Sequence, residues 1–218
     1  MSVKDFVQQR RDALIAMRRD FHMYPEPAWL EYRSAAKVAD RLISLGYDVA
    51  LGADVLDLDS RMGLPSDEVM KAAMDRAIKE GANPELVEKM GYGKTAIVAT
   101  MKFGGEGPVV AFRVDMDSND VIEAKDDNHV PAKGGFRSCH DKAMHACGHD
   151  AHMTMGLGLA EYLATHKDEF KGTIKLIFQP AEEGVRGAKA MAEAGVVDDV
   201  DLMFGMHIGF NEKLSNCF

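Results

Sequence analysis

Any fold for this chain must accommodate residues 138–152, which read Ser-Cys-His-Asp-Lys-Ala-Met-His-Ala-Cys-Gly-His-Asp-Ala-His. Four of the eight histidines and two of the three cysteines fall within these fifteen residues. Thiolate and imidazole groups are the usual ligands of zinc and related ions. Cys147 and His149 form the tightest pair, and Gly148 between them lets the backbone turn so that both side chains face one point. The stretch therefore predicts a metal site.

The alternative interpretation is a solvated loop that carries scattered histidines. Taken one at a time, Cys139, His140 and His152 fit that interpretation, and neither Cys139 nor Cys217 is expected to be a ligand. Asp150 directly follows the Cys-Gly-His triplet, where its carboxylate is expected to cap the helix that begins there. Packing alone does not explain so many histidines and cysteines in one segment, so the metal site is the preferred interpretation.

Composition and charge exclude several classes of partner. The 218 residues carry 26 Lys and Arg against 35 Asp and Glu, a formal net charge of −9. Such an acidic chain is not expected to bind nucleic acid or an anionic membrane. The chain has no apolar run near the roughly 18 residues of a membrane span, no signal-peptide core at its start and too few cysteines for a disulfide framework. We therefore expect a cytoplasmic protein with reduced thiols and a small-molecule partner.

The apolar patterns predict helices alternating with strands. Helices are expected over residues 4–22, 31–45, 150–166 and 186–194, and strands over 47–51, 96–103, 109–115, 173–178 and 202–206. This alternation predicts a three-layer αβα domain of the α/β class with a largely parallel central sheet. The glycine-rich link 104–108 predicts a hairpin or tight connection between the second and third strands. His22, beside a proline-rich turn, is expected to be a surface or satisfied residue rather than a ligand.

Residues 52–93 interrupt this alternation. A polar loop over 57–64 is followed by a predicted helix over 67–80, with Ser66 as its cap and Met70, Met74 and Ile78 on one face, and by a shorter helix over 84–90. We interpret residues 52–93 as a helical insertion within a single domain of residues 1–218. Residues 118–144 show no periodicity and predict a long loop, which in compact domains is usually functional.

Candidate ligands and acids fall where the predicted strands end. They are Asp115, the Glu182-Glu183 pair and His207, with Cys147 and His149 just before a helix. Ligands of open α/β sheets gather beyond the carboxyl ends of the strands. The predicted fold therefore brings these residues to one rim.

Two adjacent carboxylates suit hydrolytic chemistry because neighbouring side chains need not point the same way. One of Glu182 and Glu183 can coordinate a metal while the other exchanges a proton with a water, whose pKa a metal lowers from about 15.7 towards about 7. Two ions about 3.5–4 Å apart would also polarise a carbonyl. A Glu-Glu pair alone is weak support, but this one follows strand-Gln-Pro-Ala and lies downstream of Cys-Gly-His.

Three motifs carry a family resemblance: His-Ala-Cys-Gly-His-Asp-Ala-His at 145–152, Phe-Gln-Pro-Ala-Glu-Glu-Gly at 178–184 and Gly-Met-His at 205–207. Together they resemble the signatures of the di-metal amidohydrolase and carboxypeptidase family, which includes hippuricase-like N-acyl-amino-acid amidohydrolases. The resemblance extends from Arg18 to His207. It implies hydrolysis of the amide between an acyl or aroyl group and an amino acid, as in p-aminobenzoyl-glutamate or an N-acyl amino acid.

The resemblance also implies a role for each residue. Two divalent ions, manganese or zinc, would be held by Cys147, His149, Glu183 and His207. Glu182 would act as general base towards a metal-activated water, and Asp115 would orient a ligand histidine. Several relatives have a metal-binding histidine where this chain has Arg113, so His149 would take over that role. Arg113 itself would bind a substrate carboxylate or form a buried ion pair.

The family resemblance implies a longer chain than this one. Relatives carry a lid and dimerisation domain after the His207 region and a further metal-binding histidine, and the ending at 209–218 does not resemble their continuation. We therefore expect an N-terminal part of the catalytic domain, truncated before the lid and dimerisation domain. The resemblance also implies that full-length relatives form dimers, either of identical subunits or with a homologous second subunit. The alternatives are a catalytically inactive metal-binding fragment or partner subunit, and a structural zinc module.

Overall fold

Helices and strands alternate along the chain as its apolar pattern predicts. The computed structural model describes residues 1–209, so the expectations about Cys217 and the ending at 209–218 concern residues almost wholly outside this range. The helices are α1 (Val3–Met23), α2 (Tyr32–Ser44), α3 (Asp67–Lys79), α4 (Pro84–Lys89), α5 (Val130–Lys133), α6 (His149–Thr165) and α7 (Gly187–Glu193). The strands are β1 (Asp48–Leu51), β2 (Ile97–Lys102), β3 (Val109–Asp115), β4 (Thr173–Gln179) and β5 (Leu202–Gly205). None of the described helices is both long and apolar enough to cross a membrane.

The five strands form one mixed sheet in the order β1-β2-β4-β3-β5. β4, β3 and β5 run parallel to one another, whereas β1 and β2 pair antiparallel with each other and β2 pairs antiparallel with β4. The α/β class is confirmed, and the parallel character of the sheet is confined to the half that β3, β4 and β5 form.

Of the two predicted connections between β2 and β3, the hairpin is wrong, because β4 lies between these two strands, whereas the short connection is observed. The glycine-rich link instead crosses the start of β4. The backbone amide of Phe103 donates to Gly172 at 2.9 Å, and the amide of Thr173 donates to Pro108 at 3.0 Å. A strand that enters later in the chain therefore separates two strands that are neighbours in sequence.

Helices cover both faces of the sheet. Side chains alternate between the two faces of each strand. On β4, Leu176 and Phe178 belong to the larger apolar core, which α1, α2 and α6 cover, whereas Ile177 packs in a smaller core with Trp29 and Met191. The three-layer αβα architecture is therefore confirmed.

Residues 52–93 contain two helices, α3 and α4. The Ser66 hydroxyl accepts a hydrogen bond from the backbone amide three residues on, so its predicted cap is confirmed. Met70, Ala73 and Ala77 form the buried face of α3, whereas Ile78 is 39% exposed because it lies one position further round the helix. The interpretation of these residues as an insertion stays a prediction.

The start of α6 is set by Gly148 rather than by the predicted cap, Asp150. Gly148 is the N-cap residue with φ +84°, and a Cβ added there would lie 2.3 Å from Cδ1 of Ile208. Only glycine therefore fits both the left-handed backbone and the close approach. The Asp150 carboxylate lies inside the first turn, where it accepts hydrogen bonds from Arg18 and His22.

We predict that Leu176→Ala lowers the free energy of unfolding by about 2–5 kcal/mol, because it removes buried methyl groups and leaves a cavity. Leu176 is 1% exposed and lies on β4, which is hydrogen-bonded on both sides. Urea unfolding measures the change. Ile43→Ala is the control, since Ile43 is 51% exposed and its replacement should stay within about 0.5 kcal/mol. Equal unfolding midpoints for the two variants would contradict the assignment of Leu176 to the core.

Candidate metal centre

The six residues selected from the sequence meet at the edge of the sheet where β3, β4 and β5 end. Their donor atoms fall into groups that all contain His149, and within a group every donor lies within 4.8 Å of the others. These groups are Cys147–His149–His207, His149–Glu182–Glu183 and Asp115–His149–His152. The strand ends and the start of α6 therefore supply one continuous cluster of sulfur, nitrogen and oxygen donors.

Two buried carboxylates fix the backbone that carries Glu182 and Glu183. The Asp117 carboxylate accepts hydrogen bonds from the amides of Glu182 and Glu183, each at 3.0 Å. Glu31 accepts from the amide of Ala181 at 2.8 Å. Burial, and then the charge of Asp117, raise the pKa of Glu31. Because backbone amides are held at three successive positions, both glutamate side chains project from a fixed turn.

His149 is oriented by the main chain of Asp117. Its Nδ1 lies 2.7 Å from the Asp117 carbonyl, which can only accept, so Nδ1 carries the proton. Its Nε2 faces carboxylate oxygens of Asp115 at 3.6 Å, Glu182 at 3.8 Å and Glu183 at 4.0 Å. Metal-ligating histidines typically donate their second ring nitrogen to a carbonyl or carboxylate in this way.

Positive charge is favoured at His149. Burial by itself lowers the pKa of this imidazole, but the hydrogen bond and charge of Asp117 and the charge of Asp115 outweigh burial and raise the pKa. A cation placed beside Nε2 would meet the same carboxylates.

Asp115 forms its hydrogen bond with His152 rather than with His149. The Asp115 carboxylate accepts from Nδ1 of His152, and Nε2 of His152 accepts from the amide of Ile208 at 3.0 Å. Burial tends to raise the pKa of Asp115, but His152, His149 and Arg113 outweigh it and lower the pKa. His152 therefore connects the end of β3 to the segment that follows β5.

Arg113 forms an ion pair within the protein, which was one of its two predicted roles. Its Nη1 lies 3.0 Å from Asp115, and its Nε donates to the side-chain oxygen of Gln179 at 2.8 Å. Both partners are buried. The guanidinium is therefore already engaged at the ends of β3 and β4.

Cys147 and His207 form the more open side of the cluster. The Cys147 sulfur lies 3.3 Å from Nε2 of His207, which is exposed. Burial, and then the charge of Glu183, raise the pKa of the Cys147 thiol to about 11. Since the thiolate is the metal ligand, a cation must offset the surrounding carboxylates for Cys147 to coordinate.

The donor atoms fit a divalent cation. Nε2 of His149 and Oε1 of Glu183 belong to the buried polar atoms of the described residues that have no hydrogen-bond partner. Buried polar atoms without partners are costly, and these two point at the space between His149 and the glutamates. A cation there would satisfy both atoms and the surplus negative charge together.

Two residues of the cluster, Asp117 and His152, were not selected from the sequence. Both are buried, and two spacings could have identified them. Asp117 lies two residues after Asp115, and His152 lies three residues after His149 on the same face of α6.

Cys139 lies outside this cluster. It groups instead with Glu80 and with His140, whose Nε2 lies 2.8 Å from the Glu80 carboxylate. The expectation that Cys139 is not a ligand stays a prediction.

Comparison with known proteins connects this arrangement to a family. Residues 111–216 match Peptidase family M20/M25/M40. The chain is 49% identical over 207 residues to an indole-3-acetyl-aspartic acid hydrolase of Enterobacter agglomerans, and 50% identical over 208 residues to one of the subunits of the p-aminobenzoyl-glutamate hydrolase of Escherichia coli K12. Each alignment covers 95% of this chain and 48% of the relative. The chain thus spans about half the length of these relatives.

Solved structures agree with the sequence matches. An aminobenzoyl-glutamate utilization protein from Klebsiella pneumoniae has a TM-score of 0.80 at 42% identity, over 97% of this chain and 47% of its own. A dinuclear metal-binding peptidase of the M20 family from Bacillus subtilis has a TM-score of 0.66 at 30% identity, over 94% of this chain and 43% of its own. The resemblance inferred from the three motifs is confirmed: the chain is similar to hydrolases and peptidases, one of which is described as a dinuclear metal-binding peptidase.

A buried ionic network includes Asp150, the residue that follows His149 in the first turn of α6. His22 lies between two carboxylates, with Nδ1 at 2.8 Å from Asp150 and Nε2 at 2.9 Å from Glu123. Burial tends to lower the pKa of His22, but Asp150 and Glu123 outweigh it and raise the pKa, and a carboxylate at each ring nitrogen favours the imidazolium form. The network ties α1 to the first turn of α6 and to the long loop after β3. His22 is satisfied, as expected, but it is buried rather than on the surface.

Replacing His22 with Gln should destabilise the protein in a pH-dependent way. The raised pKa of His22 contributes stability that is fully present below its unfolded value of 6.5 and is lost as pH rises through the folded value. The lowered pKa values of Asp150 and Glu123 contribute stability above 3.8 and 4.5, which is lost at more acidic pH. The variant's deficit should therefore be largest between pH 4.5 and 6.5.

Urea unfolding across a pH series measures this deficit. His166→Gln is the matched control, because among the described residues the His166 ring contacts a carbonyl and a hydroxyl but no carboxylate. A deficit for His22→Gln that stays constant from pH 4.5 to well above 6.5 would show that His22 acts through packing alone.

Proposed function

We propose that this chain forms the metal- and water-binding part of an amidohydrolase that cleaves the bond between an acyl or aroyl group and an amino acid. The observation that carries the proposal is the orientation of His149. Its Nδ1 is tied to the Asp117 carbonyl, and its unpartnered Nε2 faces both Glu182 and Glu183. A metal-dependent hydrolase needs both a nitrogen that is free to bind the metal and a nearby carboxylate that can transfer a proton.

The proposed metal ligands are Cys147, His149, Glu183 and His207. Their donor atoms lie in two adjoining groups, Cys147–His149–His207 and His149–Glu182–Glu183, and His149, whose one free ring nitrogen can bind a single ion, lies in both. The mixture of sulfur, nitrogen and oxygen donors accommodates zinc or manganese. When bound, such ions supply Lewis acidity that polarises a carbonyl and makes water more acidic.

Glu182 is proposed as the general base and acid. Its Oε2 lies 3.8 Å from Nε2 of His149, while about a third of the side chain remains exposed to incoming water and substrate. The Asp117 contact fixes its backbone. Glu182 can therefore take a proton from water and deliver it to the leaving amine nitrogen.

Asp115 is proposed as a positioning residue. It holds His152, and His152 in turn holds the amide of Ile208 next to His207. Through this relay Asp115 would fix the segment that carries one ligand.

The names of the relatives support the substrate class. The Enterobacter protein is an indole-3-acetyl-aspartic acid hydrolase and the Escherichia coli protein belongs to a p-aminobenzoyl-glutamate hydrolase, so both names combine an aromatic acyl group with an amino acid. We propose p-aminobenzoyl-glutamate or a similar N-acyl amino acid as the substrate of the complete enzyme. The name of the Escherichia coli relative, which is that of one subunit, also supports assembly with a homologous partner. The reduced Cys147 that the site requires supports a cytoplasmic location.

A second candidate is a metal-binding fragment or partner subunit without turnover of its own. The exposure of His207 and of strand β5 favours it, because the centre is open on that side. Hydrolytic sites normally exclude bulk water while the reaction proceeds.

Metal content and hydrolysis of p-aminobenzoyl-glutamate and hippurate by the purified chain, with added manganese, separate the two candidates. Turnover that a chelator abolishes would establish the hydrolase. Bound metal without turnover would establish the inactive fragment. Neither metal nor turnover would contradict the metal centre itself.

Glu182→Gln should retain metal and lose activity, because the proposed role of Glu182 is proton transfer rather than coordination. Where turnover is measurable, kcat should fall by about 10²–10⁴-fold. Glu183→Gln should instead lose bound metal, measured by elemental analysis after dialysis. The exposed Glu193→Gln is the control and should change neither quantity. Loss of metal from Glu182→Gln together with full retention by Glu183→Gln would reverse the two roles.

A further inference from the structure

A cavity adjoins the candidate metal centre. It has a volume of about 380 Å³ and includes Glu183 in its wall, so it opens directly beside the proposed ligands. Pro27, Leu30 and Pro65 give it an apolar side. Arg186 is the one cationic side chain in its wall among the described residues.

The Arg186 side chain lies in a slot between two glycines. A Cβ at Gly184 would lie 2.9 Å from Nε of Arg186, and a Cβ at Gly63 would lie 3.0 Å from its Cδ. Any larger residue at either position would push the side chain out of its place. The slot therefore directs the guanidinium towards the cavity.

The backbone before Arg186 is strained. Val185 has φ +60° although it is β-branched and 81% exposed, a conformation that such residues rarely adopt. In this turn the amide of Arg186 donates a hydrogen bond to the Ala181 carbonyl at 3.1 Å, so the chain closes back on the residue before the Glu182-Glu183 pair. Strain of this kind is tolerated where a side chain must be held in a particular place.

The Arg186 charge is unpaired within the described part of the chain. The guanidinium makes one hydrogen bond with the described residues, a long contact of 3.4 Å from Nη1 to the Gly63 carbonyl. Arg113 and Arg33, by contrast, are engaged by Asp115 and Asp20. Because a guanidinium carries five donors in a planar fork, most of the Arg186 donors remain available to a ligand.

We propose that Arg186 binds a carboxylate of the amino-acid part of the substrate. The fork of a guanidinium matches a carboxylate with two parallel hydrogen bonds. Asp120 and Glu183 are the acids in the same wall, so Arg186 is the group among the described lining residues that can attract a carboxylate. This inference rests on the proposed function, since the ligand is an acylated amino acid whose amide lies at the metal centre.

The carboxylate has two sources, the α-carboxylate of any amino acid and the side chain of an acidic one. Binding of three ligands to the chain with added Mn²⁺, measured by calorimetry, distinguishes them. The ligands are N-benzoyl-glutamate, N-benzoyl-glutamine and N-benzoyl-glycinamide, which carry two, one and no carboxylates.

Arg186→Gln should weaken carboxylate binding by about 10- to 100-fold, the range of a charged hydrogen-bonded pair. A loss for the glutamate conjugate alone assigns the side-chain carboxylate, and an equal loss for the glutamate and glutamine conjugates assigns the α-carboxylate. Binding of the glycinamide conjugate should not change. Arg186→Lys should recover part of the affinity because it keeps the charge without the fork.

The matched control is Lys189→Gln on α7, which removes an exposed positive charge nearby and should leave all three affinities unchanged. Metal content and the thermal unfolding midpoint of Arg186→Gln should also equal those of the unsubstituted chain. Unchanged affinity for both carboxylate ligands in Arg186→Gln, or no binding of either ligand by a chain that holds metal, would overturn the inference. If the proposed function itself is wrong, the chain will instead contain no bound metal.

Discussion

The centre depends on Asp117, a buried residue that joins three elements at one point. Its carboxylate accepts the amides of Glu182 and Glu183 beyond β4, and its carbonyl accepts Nδ1–H of His149 at the start of α6. A buried carboxylate is tolerated only when hydrogen-bond donors surround it, and here the donors belong to the segments that carry the proposed ligands. The requirement to satisfy Asp117 therefore positions the donor atoms before any ion is bound.

Other buried acids also accept hydrogen bonds or form ion pairs with neighbouring groups. Glu26 accepts the amides of Arg33 and Ser34, Glu31 accepts Thr95 and Ala181, and Asp115 is held by His152 and Arg113. In the part of the chain that the structure describes, Oε1 of Glu183 and Nε2 of His149 lack such partners. These two atoms, which lie 4.0 Å apart, mark the place for a cation more clearly than the number of acids does.

The sequence predicts local features well and long-range pairing poorly. Helix and strand positions follow from periodicity, and the site residues follow from their places at strand ends, because both are properties of short segments. The strand order does not, since β4 inserts between β2 and β3 from some sixty residues away in sequence. The predicted Asp150 cap fails for the same reason: its carboxylate is taken by His22 and Arg18, more than a hundred residues earlier. For Asp117 and His152 the sequence offers only their spacing from Asp115 and His149, and their burial in the folded chain is what shows that they belong to the centre.

The cluster divides into a rigid half and an exposed half. His149, Asp115 and the turn of Glu182 and Glu183 are fixed by buried hydrogen bonds, whereas His207 follows an edge strand whose side chains are exposed. β5 pairs only with β3 among the described strands, and the link from His152 to Ile208 is a single hydrogen bond. An ion shared by His149 and His207 would add a strong bond across this boundary. Metal binding would therefore add to the β3–β5 pairing that already holds the last strand in the sheet, and it would fix His207 against the rigid half of the cluster.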